Sequence, residues 1–245
     1  MLEARALSKS FGSIAAVRGV SFSARDGQIT GLLGANGAGK STTLRMFYTV
    51  LKPDAGDALI DGVSVTADPL AARRSIGVLS HGAGIYNHLT ARENIAYFGE
   101  LHGMSRADRK TRVAELVELL EMQPFADRPA KGYSQGQRLK TALARALVHR
   151  PRNLLLDEPT NGLDVMAVRG LRKLLGSLRD AGHCVLFSSH VMQEVEQLCD
   201  EVVVIAGGAV VAAGALADIR TRAGNQQLED AFVSLMDGNG GEAAK

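Results

Sequence analysis

The chain has 245 residues, 46% of them apolar and 22% charged, which suits one large domain, or one domain carrying a subdomain, with core enough to fold alone. Lys and Arg (28) exceed Asp and Glu (26) by only two, so neither a basic field for nucleic acid nor an acidic solvating tail is expected. Cys184 and Cys199, the two cysteines, fall in no metal or redox spacing and read as reduced core thiols of a cytosolic protein.

Residues 1–11 intersperse Glu3, Arg5 and Lys9 among apolar positions, so a secretory signal is not expected there. Residues 2–7 and 20–23 are apolar enough for short strands, separated by a turn at 10–13 and closed by another at 25–27. They are expected to form an antiparallel edge beside the strand that follows. Phe11 falls in the first turn, where its ring either stacks on a nucleobase or caps the local core.

The apolar run 29–33 predicts a buried strand, and 41–51 a helix. Between them Gly34-Ala35-Asn36-Gly37-Ala38-Gly39-Lys40-Ser41 fits the phosphate-binding pattern G-x-x-x-x-G-K-[ST] at every fixed position, and Thr42 follows. The glycines let the backbone curl around a pyrophosphate with several N–H groups pointing inward. In that arrangement Lys40 reaches the β and γ phosphates, Ser41 ligates Mg²⁺, and the helix N-terminus adds partial positive charge.

After a break at 52–56, residues 58–62 predict a strand ending in a turn, and 75–81 another that ends on His81. Ligands gather at strand ends in open α/β sheets, so His81 is either a site residue or a plain surface histidine. Thr90 and Glu93 form a capping box, and helical pattern dominates from there to about 150. Val113, Leu116, Val117, Leu119 and Leu120 trace one amphipathic face, closed by Pro124. Ser134 and Gln137 make a second capping box before a strong helix, which is either an ordinary capped helix or, with the amide of Gly136, a second anion site.

The apolar run from Asn153 ends in Asp157 and Glu158. Alternation along a strand points these two carboxylates differently, leaving Asp157 to hold Mg²⁺ and Glu158 to polarise the attacking water. A turn at 161–164 precedes a helix and brings Asp164 near the carboxylates. Residues 184–190 form one more strand, ending on His190, a candidate donor to a γ phosphate. The longest uncharged stretch, 202–217, is shorter than the roughly 18–20 residues that span a bilayer. Gly207-Gly208 splits it, which predicts a β-hairpin. Residues 215–236 are weakly helical, and 237–245 are glycine-rich and expected to fray.

Taken together, these motifs make the chain resemble the nucleotide-binding subunits of ATP-binding cassette (ABC) transporters over about residues 2–220. They stand in the family's order: the aromatic loop at Phe11, the P-loop, the strand-end loop at His81, the signature at Ser134 to Gln137, the Asp157-Glu158 pair, the Asp164 loop and the switch histidine His190. The resemblance implies an α/β P-loop NTPase of ABC type, with a mixed central sheet, an antiparallel N-terminal β subdomain and an inserted α-helical subdomain. It implies a single nucleotide-binding domain over 1–236, with a core of about 1–89 and 151–214, a helical subdomain of about 90–150, a helical extension at 215–236 and a flexible tail at 237–245.

It further implies hydrolysis of ATP with Mg²⁺ by a head-to-tail dimer, in which the P-loop of one cassette and the signature of the other sandwich each nucleotide. Phe11, Gly34, Asn36, Gly37, Ala38, Gly39, Lys40, Ser41 and Thr42 would hold ATP from one side, and Ser134, Gly136, Gln137 and Asp164 from the other. Glu158 would be the catalytic base, His190 the γ-phosphate sensor and Lys40 a catalytic cation, with Ser41, Asp157 and His81 as metal ligands. The implied partners are a second nucleotide-binding subunit, in a homodimer or a heterodimer, and a separate integral membrane permease, with no nucleic acid. The subunit would be cytoplasmic and peripheral on the inner face of the cell membrane. Residues 82–90, including Ile85, Tyr86 and Leu89, would line with exposed apolar side chains the groove for a helix of the permease. The wording at 79–86 is similar to the sodium-extrusion and drug-resistance exporter branch, which implies export.

Two positions depart from the family pattern. Gln135-Gly136 stands for a double glycine, which implies altered packing near the γ phosphate. His81 stands for a glutamine and offers a nitrogen that titrates near neutral pH in place of a neutral carbonyl, and His81→Gln is expected to be tolerated. The alternative is a soluble ABC ATPase acting on ribosomes, DNA or cofactor assembly. Those usually carry tandem cassettes, a coiled-coil insertion or a basic arm. A protein that binds ATP without turning it over is a third reading, opposed by Glu158 and His190.

Overall fold

The computed structural model describes residues 1–80, 82 and 84–222. The expectations for His81 and for everything beyond 222 lie outside the described residues. Ten strands and eight α-helices alternate along it. Strands β1 (Leu2–Phe11), β2 (Ile14–Ala24), β4 (Ala55–Ile60) and β5 (Val63–Ser64) form an antiparallel sheet in the order β2-β1-β4-β5. A second sheet has the order β10-β9-β3-β8-β7-β6, from β3 (Ile29–Leu33), β6 (Ile76–Leu79), β7 (Asn153–Asp157), β8 (Cys184–Ser189), β9 (Glu201–Ala206) and β10 (Ala209–Ala215). Five of its strands run parallel and β10 returns antiparallel, through the turn at Gly207-Gly208.

The expected antiparallel edge beside β3 does not form. The neighbours of β3 are β8 and β9, while β1 and β2 pair with each other and with β4 in the separate sheet. The reason is burial: all five residues of β3 are buried on both faces, as a parallel-sheet strand requires, whereas β2 alternates and keeps one face in solvent. Both N-terminal strands are also longer than expected, so Phe11 ends β1 instead of lying within a turn.

The large sheet is covered on both faces. Side chains alternate across its strands, so Leu155, Leu186, Val203 and Ile205 pack against the small sheet and helix α1 (Lys40–Phe47). Leu154, Leu156, Val185 and Phe187 point the other way. There they share one core with Leu143 of α5 (Gln135–Leu147), Leu171 of α6 (Val165–Asp180) and Val195 of α7 (Met192–Leu198), and α4 (Arg106–Leu119) joins that core through Leu116, beside α5. Helix α2 (Pro69–Arg74) leads into β6, and α8 (Leu216–Arg222) follows β10. Among the described residues no helix is long and apolar enough to cross a membrane.

Thr90 caps α3 (Ala91–Leu101) with the full reciprocal box to Glu93, as its sequence predicts. Helix α4 begins earlier than the apolar pattern alone suggests, because Ser105 accepts from the Asp108 amide and starts the helix on a polar first turn. Ile85, expected to be exposed in a groove, is buried in the core, and Tyr86 beside it carries the exposure.

Candidate functional site

The parallel strands place the carboxyl ends of β3, β6, β7 and β8 along one edge of the sheet, and the predicted residues of the first half-site collect there. The P-loop leaves β3 and turns into α1 through Gly39, whose φ of 107° belongs to glycine. A Cβ there would lie 2.5 Å from the carbonyl oxygen of Ala16 in β2, and one on Gly34 would lie 2.4 Å from that of Ile205 in β9. The loop is thus pressed between the two sheets. Its Ala38 carbonyl accepts from Gly208 N (3.1 Å), so the β9–β10 turn braces it from outside.

Lys40 is the first residue of α1 and is only 4% exposed. Its ammonium donates to the Gly34 carbonyl (2.7 Å) and the Ala35 carbonyl (3.1 Å) and stands 3.8 Å from Glu158 Oε1. Burial lowers its pKa below the ordinary lysine value, and the charges of Glu158 and Asp157 oppose that shift. Helix α1 has no side-chain cap and no acidic residue in its first turn, so its terminal amides remain available to an anion.

Asp157 ends β7, 2% exposed. Its Oδ1 accepts from Ser41 Oγ (2.9 Å) and Ser188 Oγ (2.7 Å), while its Oδ2 is buried with no hydrogen-bond partner. A buried, orphaned carboxylate oxygen beside a serine hydroxyl is a hard oxygen donor set. That set fits a small divalent cation such as Mg²⁺.

Glu158 diverges from Asp157 for a reason other than strand alternation. It has left β7 and adopts φ 49°, although Pro159 follows it and would favour an extended backbone. A non-glycine residue in this region carries strain of order 1–3 kcal/mol. The Glu158 amide donates to Ser188 Oγ (3.0 Å), which fixes the turn. The Glu158 carboxylate then meets His190 Nδ1 at 3.3 Å, just beyond the end of β8.

Sequence reasoning missed Ser188, Ser189, Thr160 and Glu194. Ser188 bridges Asp157 and Glu158, and Ser189 and Thr160 both donate to Glu194 of α7 (2.9 and 2.6 Å), anchoring the loop after Glu158. The available signal was a pair of serines closing an otherwise apolar strand, since buried hydroxyls need partners.

The second group of residues is not brought to the P-loop. Ser134 is exposed at the N-terminus of α5, and its hydroxyl accepts from Gln137 N in a full capping box. The Gln137 carboxamide oxygen accepts from Ser134 N and from Arg128 (both 3.1 Å). Asp164 caps α6 by accepting from Ala167 N (2.8 Å), directly after the residues 161–163 that line a cleft with the carboxylates. Phe11 is 48% exposed at the tip of the hairpin whose β2 strand touches Gly39, with Lys9 Nζ 6.0 Å from its ring. A cleft of about 440 Å³ runs between these groups, lined by Asp157, Glu158, Asn161, Gly162, Gln135 and Arg138.

Known proteins share this arrangement. The ABC transporter family profile matches residues 17–161. The ABC transporter ATP-binding protein NatA of Bacillus subtilis (strain 168) is 40% identical over 224 residues, covering 91% of each chain. The daunorubicin/doxorubicin resistance ATP-binding protein DrrA of Streptomyces peucetius is 37% identical over 227 residues, covering 93% of this chain and 69% of that one. A dimeric structure of a post-hydrolysis state of the ATP-binding cassette MJ0796, bound to ADP and Pi, superposes with a TM-score of 0.79 at 27% identity, over 88% of this chain and 99% of that one. With a P-loop, a capped signature helix and an Asp-Glu pair at a strand end following one another along the chain, the chain belongs to the ATP-binding subunits of ABC transporters.

Proposed function

We propose that the protein hydrolyses ATP as a head-to-tail homodimer and drives export through a separate membrane permease. One observation carries the reading: Ser41, Asp157, Ser188, Glu158 and His190 form a continuous hydrogen-bonded chain beside the buried Lys40. The names of the relatives, a resistance ATP-binding protein among them, support export. The dimeric MJ0796 cassette supports the dimer.

In this reading the P-loop amides, Asn36, Thr42 and Lys40 hold the phosphates, and Phe11 lies against the base. Ser41 and Asp157 hold Mg²⁺, which when bound neutralises charge on the β and γ phosphates. Glu158 Oε1 orients the attacking water and draws its proton, and its strained backbone keeps the carboxylate turned toward the cleft. His190, 41% exposed, donates to the γ phosphate and holds Glu158 through its other nitrogen. Ser134, Gly136, Gln137 and Asp164 act on the partner's nucleotide. This use of α5 accounts for a capped helix N-terminus that stands open to solvent. The helical block 90–150 acts as a subdomain, and the groove beside exposed Tyr86 takes the permease, placing the subunit on the cytoplasmic face of the membrane.

The test is Glu158→Gln. Loss of a general base lowers turnover by roughly 10²–10⁴-fold. Phosphate release should fall by that amount while ATP binding persists and an ATP-dependent dimer accumulates on size exclusion. Hydrolysis at the wild-type rate would remove Glu158 from the role.

A further inference from the structure

Gln135 occupies the position where the family pattern has the first glycine of its signature, and its side chain has a contact that glycine could not make. A Cβ built on Gly162 would lie 2.8 Å from Gln135 Oε1 and 3.5 Å from both its Cδ and its Nε2. The carboxamide therefore lies across the bare backbone of Gly162, which has φ 73°. Gln135 is the first residue of α5, and Gly162 lies in the loop between Glu158 and the α6 cap Asp164. Both residues are exposed, and both line the cleft that contains Asp157 and Glu158.

The loop that Gln135 touches is stiff. Asn161 N donates to the Glu158 carbonyl (3.2 Å), Leu163 N donates to the Thr160 carbonyl (3.1 Å), and Thr160 Oγ1 donates to Glu194 (2.6 Å). Its far end is pinned by the Asp164 cap on α6. These bonds make a continuous path from Gly162 to Glu158.

We propose that Gln135 is a positioning residue, a strut that fixes the start of α5 against the loop carrying Glu158 and so couples the two ATP sites of the dimer. The proposal rests on the dimer reading above. In that reading the α5 N-terminus acts on the partner's ATP and Glu158 acts on the chain's own. When the partner's nucleotide draws in α5, the strut moves the loop of the neighbouring site. Gln135 touches no reacting atom; it acts through Gly162 and the loop.

The experiment is a double-mutant cycle on the full-length protein, read by steady-state ATPase kinetics. Gln135→Ala keeps a good helix former at the first position of α5 and removes the carboxamide. It should lower kcat roughly fivefold, at the low end of site-to-site coupling energies, and bring the Hill coefficient for ATP toward one, with KM and melting temperature held. Gly162→Ala places a strained Cβ against the strut and should cost more activity. In the Gln135→Ala background the collision is gone and only the backbone strain remains, so Gly162→Ala should cost distinctly less there than in the wild type.

Additivity of the two substitutions, within about twofold, would overturn the strut, since independent sites add to that precision. An unchanged Hill coefficient in Gln135→Ala would overturn the coupling role even if the contact is real. Failure of the dimer reading itself is seen separately. If Glu158→Gln forms no ATP-dependent dimer, that reading falls, while the cycle still reports the contact within one chain.

Discussion

Two glycine-containing segments of this chain open onto helix N-termini, and they are built in opposite ways. The P-loop is pressed between two sheets, its Lys40 buried and held by its own loop carbonyls, and α1 begins with no side-chain cap. The start of α5 is exposed and fully capped, with Ser134 and Gln137 satisfying each other. A terminus with no side-chain cap leaves its first amides to water or a ligand, so α1 can take an anion without help from another segment. An exposed, capped terminus is stable without one. Its few remaining amides become useful when a second surface excludes water around them, which in the proposed dimer another copy of the chain would do.

The largest effect that could break this contrast comes from mixing. Lys40→Ala disables the buried segment and Ser134→Glu places a carboxylate in the exposed one, so each variant alone should be inactive. If the P-loop works from its own chain and α5 from the partner, an equimolar mixture contains hybrid dimers with one intact site, and phosphate release should partly recover. No recovery on mixing, with both variants folded by circular dichroism, would place both segments at a single site within one chain.

A smaller effect distinguishes the two ends of α5. Beyond its C-terminus, His149 is half-buried, stacked on His102 at 3.6 Å, with Nε2 bonded to the Ile76 carbonyl (2.9 Å) and Nδ1 buried without a partner. Burial, with the nearby His102 and Arg112 adding to it, pushes its pKa down to about 4. A histidine whose folded pKa lies below its unfolded value of about 6.5 favours the folded state fully above that value, and its contribution is lost as pH falls toward 4. The loss should be on the order of 2 kcal/mol, the shift converted by linkage and discounted for partial exposure. His149→Phe should melt at nearly the same temperature at pH 7 and pH 5, while the wild type melts several degrees lower at pH 5. An equal drop in both proteins would remove His149 as the acid-labile group, leaving His102, whose pKa burial also lowers.

How much of this was legible beforehand differs between the same two regions. The P-loop, the Asp157-Glu158 pair and both capping boxes are local patterns, because each depends on residues within a few positions of one another, and all stand where the sequence places them. The antiparallel pairing of β1 and β2 was legible, but their placement beside β3 was misread, because the partner of a strand depends on which of its faces are buried, a property of the folded sheet. The turn at Glu158 was hidden because Pro159 argues locally for extended backbone, while Ser188, from another strand, helps hold the residue at positive φ. The strut from Gln135 to Gly162 joins segments far apart in the chain, and no spacing rule reports it.

The smallest predicted effect is the sharpest comparison, because the chain contains its own control. Thr90 and Ser134 cap α3 and α5 with the same reciprocal geometry, Thr90 with Glu93 and Ser134 with Gln137. Replacing either hydroxyl by alanine removes one side-chain cap, which costs about 1 kcal/mol. Thr90→Ala and Ser134→Ala should therefore lower the melting temperature by a similar few degrees. Turnover should separate them. Thr90 faces only its own helix and the chain beside Pro129, so Thr90→Ala should keep its kcat below the melting range. Ser134→Ala also removes a hydroxyl from the surface proposed to face the partner's γ phosphate, and its kcat should fall at every temperature where the protein is folded. Equal kcat in the two variants would reduce Ser134 to a helix cap like Thr90, and the exposed segment would lose its place in the site.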